Sequence, residues 1–94
     1  MNGDDPLTLF ALGYKTGILR YKAVQPFLNK PEWMLREWIK NLAESISNSY
    51  RDFHMNLKED DYHGAHSDWV WVWYCVGELC AYLDIMSLWE GKVK

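Results

Sequence analysis

Residues 68–89 of the chain read DWVWVWYCVGELCAYLDIMSLW, and the conformation of this stretch decides the fold. Its first part, from Trp69 to Tyr74, alternates β-branched and aromatic residues, which favours a strand, but both alternating sets are apolar and indicate no buried face. Further on, apolar residues recur every three or four positions, the spacing of a helical seam. These residues are Val72, Val76, Leu79, Leu83 and Met86. The pattern predicts a helix over 67–90, with a strand at 69–75 as the alternative.

The predicted helix is apolar on nearly every side. Ser67 is a favourable N-cap for it, and Gly91 is a natural stop. Glu78 and Asp84 project roughly 120° apart, so they are expected to be its water-facing positions. A helix of this kind lies centrally in a bundle or is covered by a partner. Its uninterrupted apolar run is far shorter than the ~20 residues that cross a bilayer, so no membrane span is expected.

The composition predicts one folded domain, 1–94, that is reduced and cytoplasmic. Hydrophobic residues make up 49% of the chain, which is enough to bury a core. The net charge of −3 argues against a general nucleic-acid binder. Cys75 and Cys80 are the only cysteines, and their spacing on one helix does not suit a disulfide. The acidic start MNGDDPL lacks the features of a signal peptide.

A first helix is predicted at 5–24, opened by Asp5 as N-cap and Pro6 at the first helical position. Its apolar stripe consists of Leu7, Phe10, Tyr14, Ile18 and Tyr21. Gly13 and Gly17 lie four apart and cut a notch in one face. The notch suits either a second helix packed closely or a Trp or Tyr side chain of the central helix. The second interpretation is favoured, because six Trp side chains have to be placed.

The second helix is predicted at 31–57, where one stripe repeats over seven positions. Its members are Leu35, Trp38, Leu42, Ile46, Tyr50, Phe53 and Leu57. A break near 45–49 is a further expectation, because Ser and Asn lower helix propensity. The polar segment 58–66, KEDDYHGAH, is predicted to be a loop. The fold class that follows is all-α: an antiparallel three-helix bundle with the third helix central, or four helices if the second one breaks.

No catalytic residue and no cofactor are predicted. Cys75 and Cys80 lie in apolar surroundings that raise a thiol pKa, and no phosphate-binding loop or nucleophile motif is present. The alternative hypothesis is a metal site with a catalytic or regulatory role. It would use His63 and His66, spaced as H-x-x-H, together with Asp60.

The aromatic surplus points to binding. Six Trp and six Tyr exceed what one small core can enclose, and these residues dominate protein interfaces. The sequence therefore predicts a non-enzymatic protein-binding module of the inhibitor, immunity or counter-defence kind, which blocks a partner's surface. A homodimer seam would account for the same surplus. The predicted partner-binding residues are Trp33, Trp71 and Tyr62, all expected to be at least partly exposed, and the acids Glu59, Asp60 and Asp61, which suit a basic partner surface.

Overall fold

A computed structural model of the chain describes the backbone of residues 5–27 and 31–93 and the side chains of 5–27 and 32–88. It has three α-helices, namely α1 (Pro6–Val24), α2 (Pro31–Lys58) and α3 (Tyr62–Val93). A single turn of 3-10 helix, Gln25–Phe27, follows α1. None of the described residues is in a β-strand. The predicted all-α bundle is confirmed, and the strand alternative for 69–75 is wrong.

The α3 helix is central, as predicted. Both α1 and α2 pack along it, and within the described residues they have little or no contact with each other. α2 runs antiparallel to α3: the rings of Trp38 and Tyr82 lie 5.0 Å apart at one end, and those of Phe53 and Trp69 lie 5.5 Å apart towards the other. No helix in the part of the chain that is described combines the length and apolarity needed to cross a bilayer.

α1 runs parallel to α3 and approaches it through glycines. A Cβ atom on Gly13 would collide with the carbonyl oxygen of Tyr74, and one on Gly17 would lie 2.8 Å from the Cβ of Ala81. From the other side, a Cβ on Gly77 would collide with the backbone of α1. The notch therefore receives the backbone of the central helix. The expected Trp or Tyr side chain does not fill it, because two helices with facing small residues can approach too closely to leave room for one.

The best-buried part of the core surrounds Tyr82 and Ile85 of α3, where the C-terminal end of α1 and the start of α2 both pack on that helix. Tyr21, Leu35, Tyr82 and Ile85 are buried there, one or two from each helix. Their half-buried neighbours are Ile18, Met34, Trp38, Ile39, Leu42 and Met86. Full burial of a side chain of this size contributes about 1.5–3 kcal/mol, so this end of the bundle supplies much of the stability.

The apolar seam predicted for α3 is not its buried face. Within that seam Leu83 is exposed and the other members are only half-buried. The residues that are buried on this helix are Ala65, Cys75, Gly77, Glu78, Ala81, Tyr82 and Ile85. The prediction fails because α3 is apolar almost all round, so the spacing of large apolar residues does not single out one side. The small residues Gly77 and Ala81 mark the side that faces α1.

The stripe predicted for α1 is only partly its buried side. The buried residues of this helix are Leu9, Gly13, Gly17 and Tyr21, spaced four apart, and of these only Tyr21 belongs to the predicted stripe. Leu7 is exposed. The glycine-lined side, where the backbones can come closest, is the side that packs. Large apolar residues beside it are left half-buried or exposed.

The stripe predicted for α2 is largely confirmed. Leu35 is buried and most of the other members are half-buried, while Tyr50 and Leu57 towards the end of the helix are exposed. The predicted break at 45–49 does not occur, since the helix is continuous through it. The Ser45 hydroxyl accepts a hydrogen bond from Nε1 of Trp71 over 3.1 Å, and such tertiary contacts outweigh a weak helix propensity.

The connection between α2 and α3 is much shorter than predicted. It comprises residues 59–61, with Asp60 in the left-handed conformation (φ 59°), and the predicted loop 58–66 is wrong. Asp61 caps α3: its Oδ1 accepts a hydrogen bond from the Gly64 amide over 3.0 Å, and its carbonyl accepts one from the Ala65 amide. A carboxylate acceptor ahead of the first turn therefore starts the helix before Ser67, the predicted cap.

α3 also continues past its predicted end. The helix runs through Gly91 to Val93, so Gly91 does not stop it. No glycine of the described residues has a positive φ, the conformation that would have ended the helix there.

Candidate binding groove

A groove lies between α1 and α2, because the two helices pack on α3 and not on each other. It consists of two adjoining cavities of about 360 and 560 Å³ that share Arg20, Leu42 and Glu78. Residues of α3 from Val70 to Tyr82 form its floor. At 1.5 Å per residue this floor is roughly 18 Å long. We refer to it below as the α1/α2 groove.

Glu78 lies at the centre of the floor and is the main departure from the sequence prediction. The sequence places it towards water, yet only 4% of it is exposed. Its Oε2 accepts hydrogen bonds from Nη1 of Arg20 and from the hydroxyl of Tyr82, both over 2.8 Å. A buried carboxylate is tolerated when it is paired and hydrogen-bonded. Tyr82 is its i+4 neighbour on α3, whereas Arg20 comes from a position that the sequence spacing does not relate to Glu78.

The absence of a side chain at Gly17 helps to place this carboxylate. A Cβ atom there would lie 3.3 Å from Cγ of Glu78. Arg20, one turn further along α1, reaches over the edge of the groove with about half of its side chain exposed. The ion pair is therefore open to water on the side of the arginine and closed on the side of the glutamate.

Tyr82 remains a hydrogen-bond donor at neutral pH. Burial raises the pKa of Tyr82 well above its usual range, and the hydrogen bond to Glu78 raises it further. The phenol therefore keeps its proton and holds the Glu78 carboxylate from below, while Arg20 holds it from the solvent side.

The other half of the groove is apolar and partly exposed. Trp71 on α3 is 49% exposed, and its ring stacks with that of Tyr74 at 5.9 Å. Leu12 on the α1 side is 52% exposed. The hydrogen bond from Trp71 to Ser45 fixes the indole across the groove, so this large apolar surface is already oriented in the free protein.

Cys75 lies under this apolar half. It is fully buried, and burial raises the pKa of its thiol to about 11, with the charge of Glu78 adding to the effect and the hydrogen bond with Ser45 opposing it. Such a thiol is protonated at neutral pH and is a poor nucleophile. The burial agrees with the sequence-based expectation that the environment of this cysteine raises its pKa.

The wall contributed by α2 is polar and acidic at both ends. Asn41 and Ser45 line the cavity, and helical spacing places further residues on the same side. Together these residues form a polar row along α2, which consists of Glu37, Asn41, Ser45, Asn48 and Asp52. The basic residues of α2 lie outside this row; they are Arg36, Lys40, Arg51 and Lys58. The guanidinium of Arg51 reaches the row, where its Nη2 donates a hydrogen bond to Oδ1 of Asn48 over 3.1 Å.

The residues predicted to bind a partner are exposed but do not form one site. Trp33, Tyr62 and Trp71 are 71%, 67% and 49% exposed, as expected. Trp71 lies in the α1/α2 groove, whereas Tyr62 lies at the α2–α3 turn, where its hydroxyl donates to Oδ1 of Asp60 over 3.2 Å. Trp33 lies near the start of α2, roughly 38 Å along that helix from the turn.

The three predicted acids share the turn with Tyr62. Glu59 and Asp60 are exposed there, and Asp61 has the structural role of capping α3. Their part in binding stays a prediction.

Sequence reasoning missed Leu12, Arg20, Ser45 and Glu78 as groove residues. A signal for the first two was present. Gly13-x-x-x-Gly17 of α1 matches Gly77-x-x-x-Ala81 of α3, and two such motifs favour close packing of the helices. That packing places Leu12 and Arg20 at one edge of the contact.

The alternative metal site gains no support from the geometry. His63 and His66 lie at the start of α3 rather than in a loop, and Asp60 precedes that helix. Among the described side chains, 5–27 and 32–88, no group of three or more His, Cys, Asp or Glu residues is placed to hold a metal ion.

No family model, curated protein or solved structure matches the chain. The chemistry of its own surface is therefore the basis for assigning a function.

Proposed function

We propose that the protein is a non-enzymatic binding protein that receives an α-helical segment of a partner protein in the α1/α2 groove. By covering that segment it would act as an inhibitor of the immunity or counter-defence kind. The observation that carries the proposal is the open strip of α3 between two helices that do not pack on each other. A helix laid in this strip would complete a four-helix bundle.

The exposed side chains of the groove support a helical occupant. Leu12 lies on its α1 side and Trp71 on its floor, and both are about half exposed in the free protein. Recognition of a helix in a groove depends on apolar anchors of this kind, and covering them removes apolar surface from water. Trp is among the residues that contribute most to interface energies, and this one is held in place by Ser45.

The polar groups that line the groove favour binding over catalysis. Glu78 is engaged by Arg20 and Tyr82, and the thiol of Cys75 is protonated. A general base or nucleophile needs a free lone pair directed at the substrate. Oε2 of Glu78 and the thiol of Cys75 are instead engaged within the protein.

The acidic turn offers a second contact with the same partner. Glu59 and Asp60 are exposed beside Tyr62, at the end of the molecule where α2 meets α3. A basic surface on the partner would be attracted to it, which chiefly affects the rate of encounter. Trp33 lies at the opposite end of α2, so it would contact only a partner that extends along the whole bundle.

The test compares two matched leucine truncations on α1 with a truncation of Trp71 on α3. Tagged wild-type, Leu12→Ala, Leu7→Ala and Trp71→Ala proteins are expressed in the source cells, co-purifying proteins are quantified by mass spectrometry, and Kd is measured by calorimetry. Trp71→Ala should weaken binding roughly 30-fold, equivalent to ~2 kcal/mol, and Leu12→Ala roughly tenfold. Leu7 is exposed outside the groove, so Leu7→Ala should bind as wild type.

Two further results complete this test. Glu59→Gln with Asp60→Asn should slow association at low salt and leave dissociation nearly unchanged. Asp61 is left in place because it caps α3. Equal partner recovery by the Leu12 and Leu7 variants, with unfolding free energies unchanged, would contradict the groove as the binding site.

A further inference from the structure

We infer that the helix received by the α1/α2 groove is amphipathic and carries Lys or Arg along the flank that faces α2. The inference rests on the proposed function and specifies the chemistry of the partner. It follows from the length of the floor and from the difference between the two walls.

The floor sets the length of the occupant. It extends over α3 from Val70 to Tyr82, roughly 18 Å, which accommodates about twelve residues or three turns of helix. The apolar ridge of the occupant would lie over Trp71, Tyr74 and Leu42, where the lining is mainly hydrophobic. Near Glu78 the lining becomes polar, so the ridge would lie mainly over the Val70 end.

The wall on the α1 side carries no charge near the floor apart from Arg20, which Glu78 already holds. Leu12 and Leu19 lie seven residues apart on nearly the same line of α1, and both are exposed. The nearest charges further out on this helix are the basic side chains of Lys15 and Lys22. The flank of the occupant next to α1 is therefore expected to be apolar or acidic, because basic groups there would be repelled.

The wall on the α2 side has the opposite character. Glu37 and Asp52 stand at the two ends of its polar row, and both are exposed. They lie fifteen residues apart, roughly 22 Å along α2, which is close to the length of the floor. Between them Asn41 offers a hydrogen-bonding side chain, whereas Ser45 already accepts from Trp71 and Oδ1 of Asn48 from Arg51. A helix with a basic residue near each end of one flank would meet a carboxylate at both ends.

These charges select the orientation and identity of the occupant more than they add to its affinity. Exposed ion pairs contribute little to a binding free energy, whereas like charges placed together are unfavourable. The two different walls thus distinguish one flank of an incoming helix from the other. Reversing the charges at Glu37 and Asp52 should reverse the preference.

The experiment is a selection from a display library of helical peptides of about fourteen residues, with leucines fixed along one ridge and both flanks randomised, against the full chain. Wild type should enrich peptides with Lys or Arg on one flank, and Glu37→Lys with Asp52→Lys should enrich Glu or Asp there instead. Selected basic peptides should bind this double variant roughly tenfold more weakly at low salt, with the difference shrinking near 0.5 M salt. The control is Glu32→Lys with Glu44→Lys, the same charge change on α2 at positions outside the polar row, which should keep the wild-type preference.

The outcomes separate the two proposals. One outcome is that the enriched peptides lose binding to Leu12→Asp but have no basic flank. That outcome would overturn the charge inference and leave the groove as a binding site. Failure to enrich any peptide that depends on Leu12 would overturn both. A concentration-dependent dimer of the free protein that Leu12→Asp dissociates would show that a second copy occupies the groove, and would overturn the inference of a basic helix.

Discussion

At the scale of single residues, the glycines of α1 and α3 determine how closely the two helices pack. Gly13 and Gly77 each leave space that the backbone of the facing helix occupies. A helix interior normally disfavours glycine by about 1 kcal/mol relative to alanine. That local cost is offset here by a contact that no other residue type permits.

Gly13→Ala is therefore expected to destabilise the protein. The added methyl group would collide with the carbonyl of Tyr74, which belongs to the backbone and cannot rotate away. Overpacking costs about 1–3 kcal/mol, so a net loss of about 2 kcal/mol should appear in urea unfolding despite the better helix propensity. Gly17→Ala should lose less, because the added methyl group would lie 2.8 Å from the Cβ of Ala81 and would need a smaller shift of the two helices. An increase in unfolding free energy for Gly13→Ala would show that the two helices do not approach each other this closely.

At the scale of elements, the three helices differ in how well their sequences predict them. α2 has a polar face and an apolar face, so the spacing of its apolar residues is sufficient to identify most of the buried side. α3 is apolar on nearly all sides, and its spacing predicts a helix but not which side is buried. The predicted ends of α3 are wrong as well. Asp61, one of three consecutive acids in the polar run 58–66, caps the helix, and the helix continues through Gly91.

The start of α3 can be tested by comparing two candidate caps. Asp61→Ala removes the oxygen that accepts the Gly64 amide and should lower the unfolding free energy by about 1 kcal/mol, whereas Asp61→Asn should lose much less. Ser67 is exposed within the helix, so Ser67→Ala should change stability by a few tenths of a kcal/mol at most. Chemical denaturation of the three variants is sufficient, and a larger loss for Ser67→Ala than for Asp61→Ala would place the start of the helix at Ser67.

At the scale of the whole molecule, the architecture is predictable from the sequence and the binding site is not. Three helices, their order and the central place of α3 follow from turn residues and from the excess of apolar residues in 68–89. The α1/α2 groove depends on the angle between two helices around a third. Glu78 shows the consequence: its burial depends on Arg20, which lies 58 residues away in the chain and is brought close only by the glycine contact.

The three-residue turn between α2 and α3 also has a consequence for the kinetics of folding. Contacts across a short turn link residues that are close in the sequence, and such contacts form early, whereas α1 must close a loop of more than fifty residues to reach Ala81 and Glu78. We expect a transition state in which the α2–α3 hairpin is partly formed and α1 is still undocked. In a chevron analysis, Gly13→Ala should then mainly accelerate unfolding, while Leu42→Ala should mainly slow folding. The segment that forms one wall of the groove would thus be the last to dock and the first to detach.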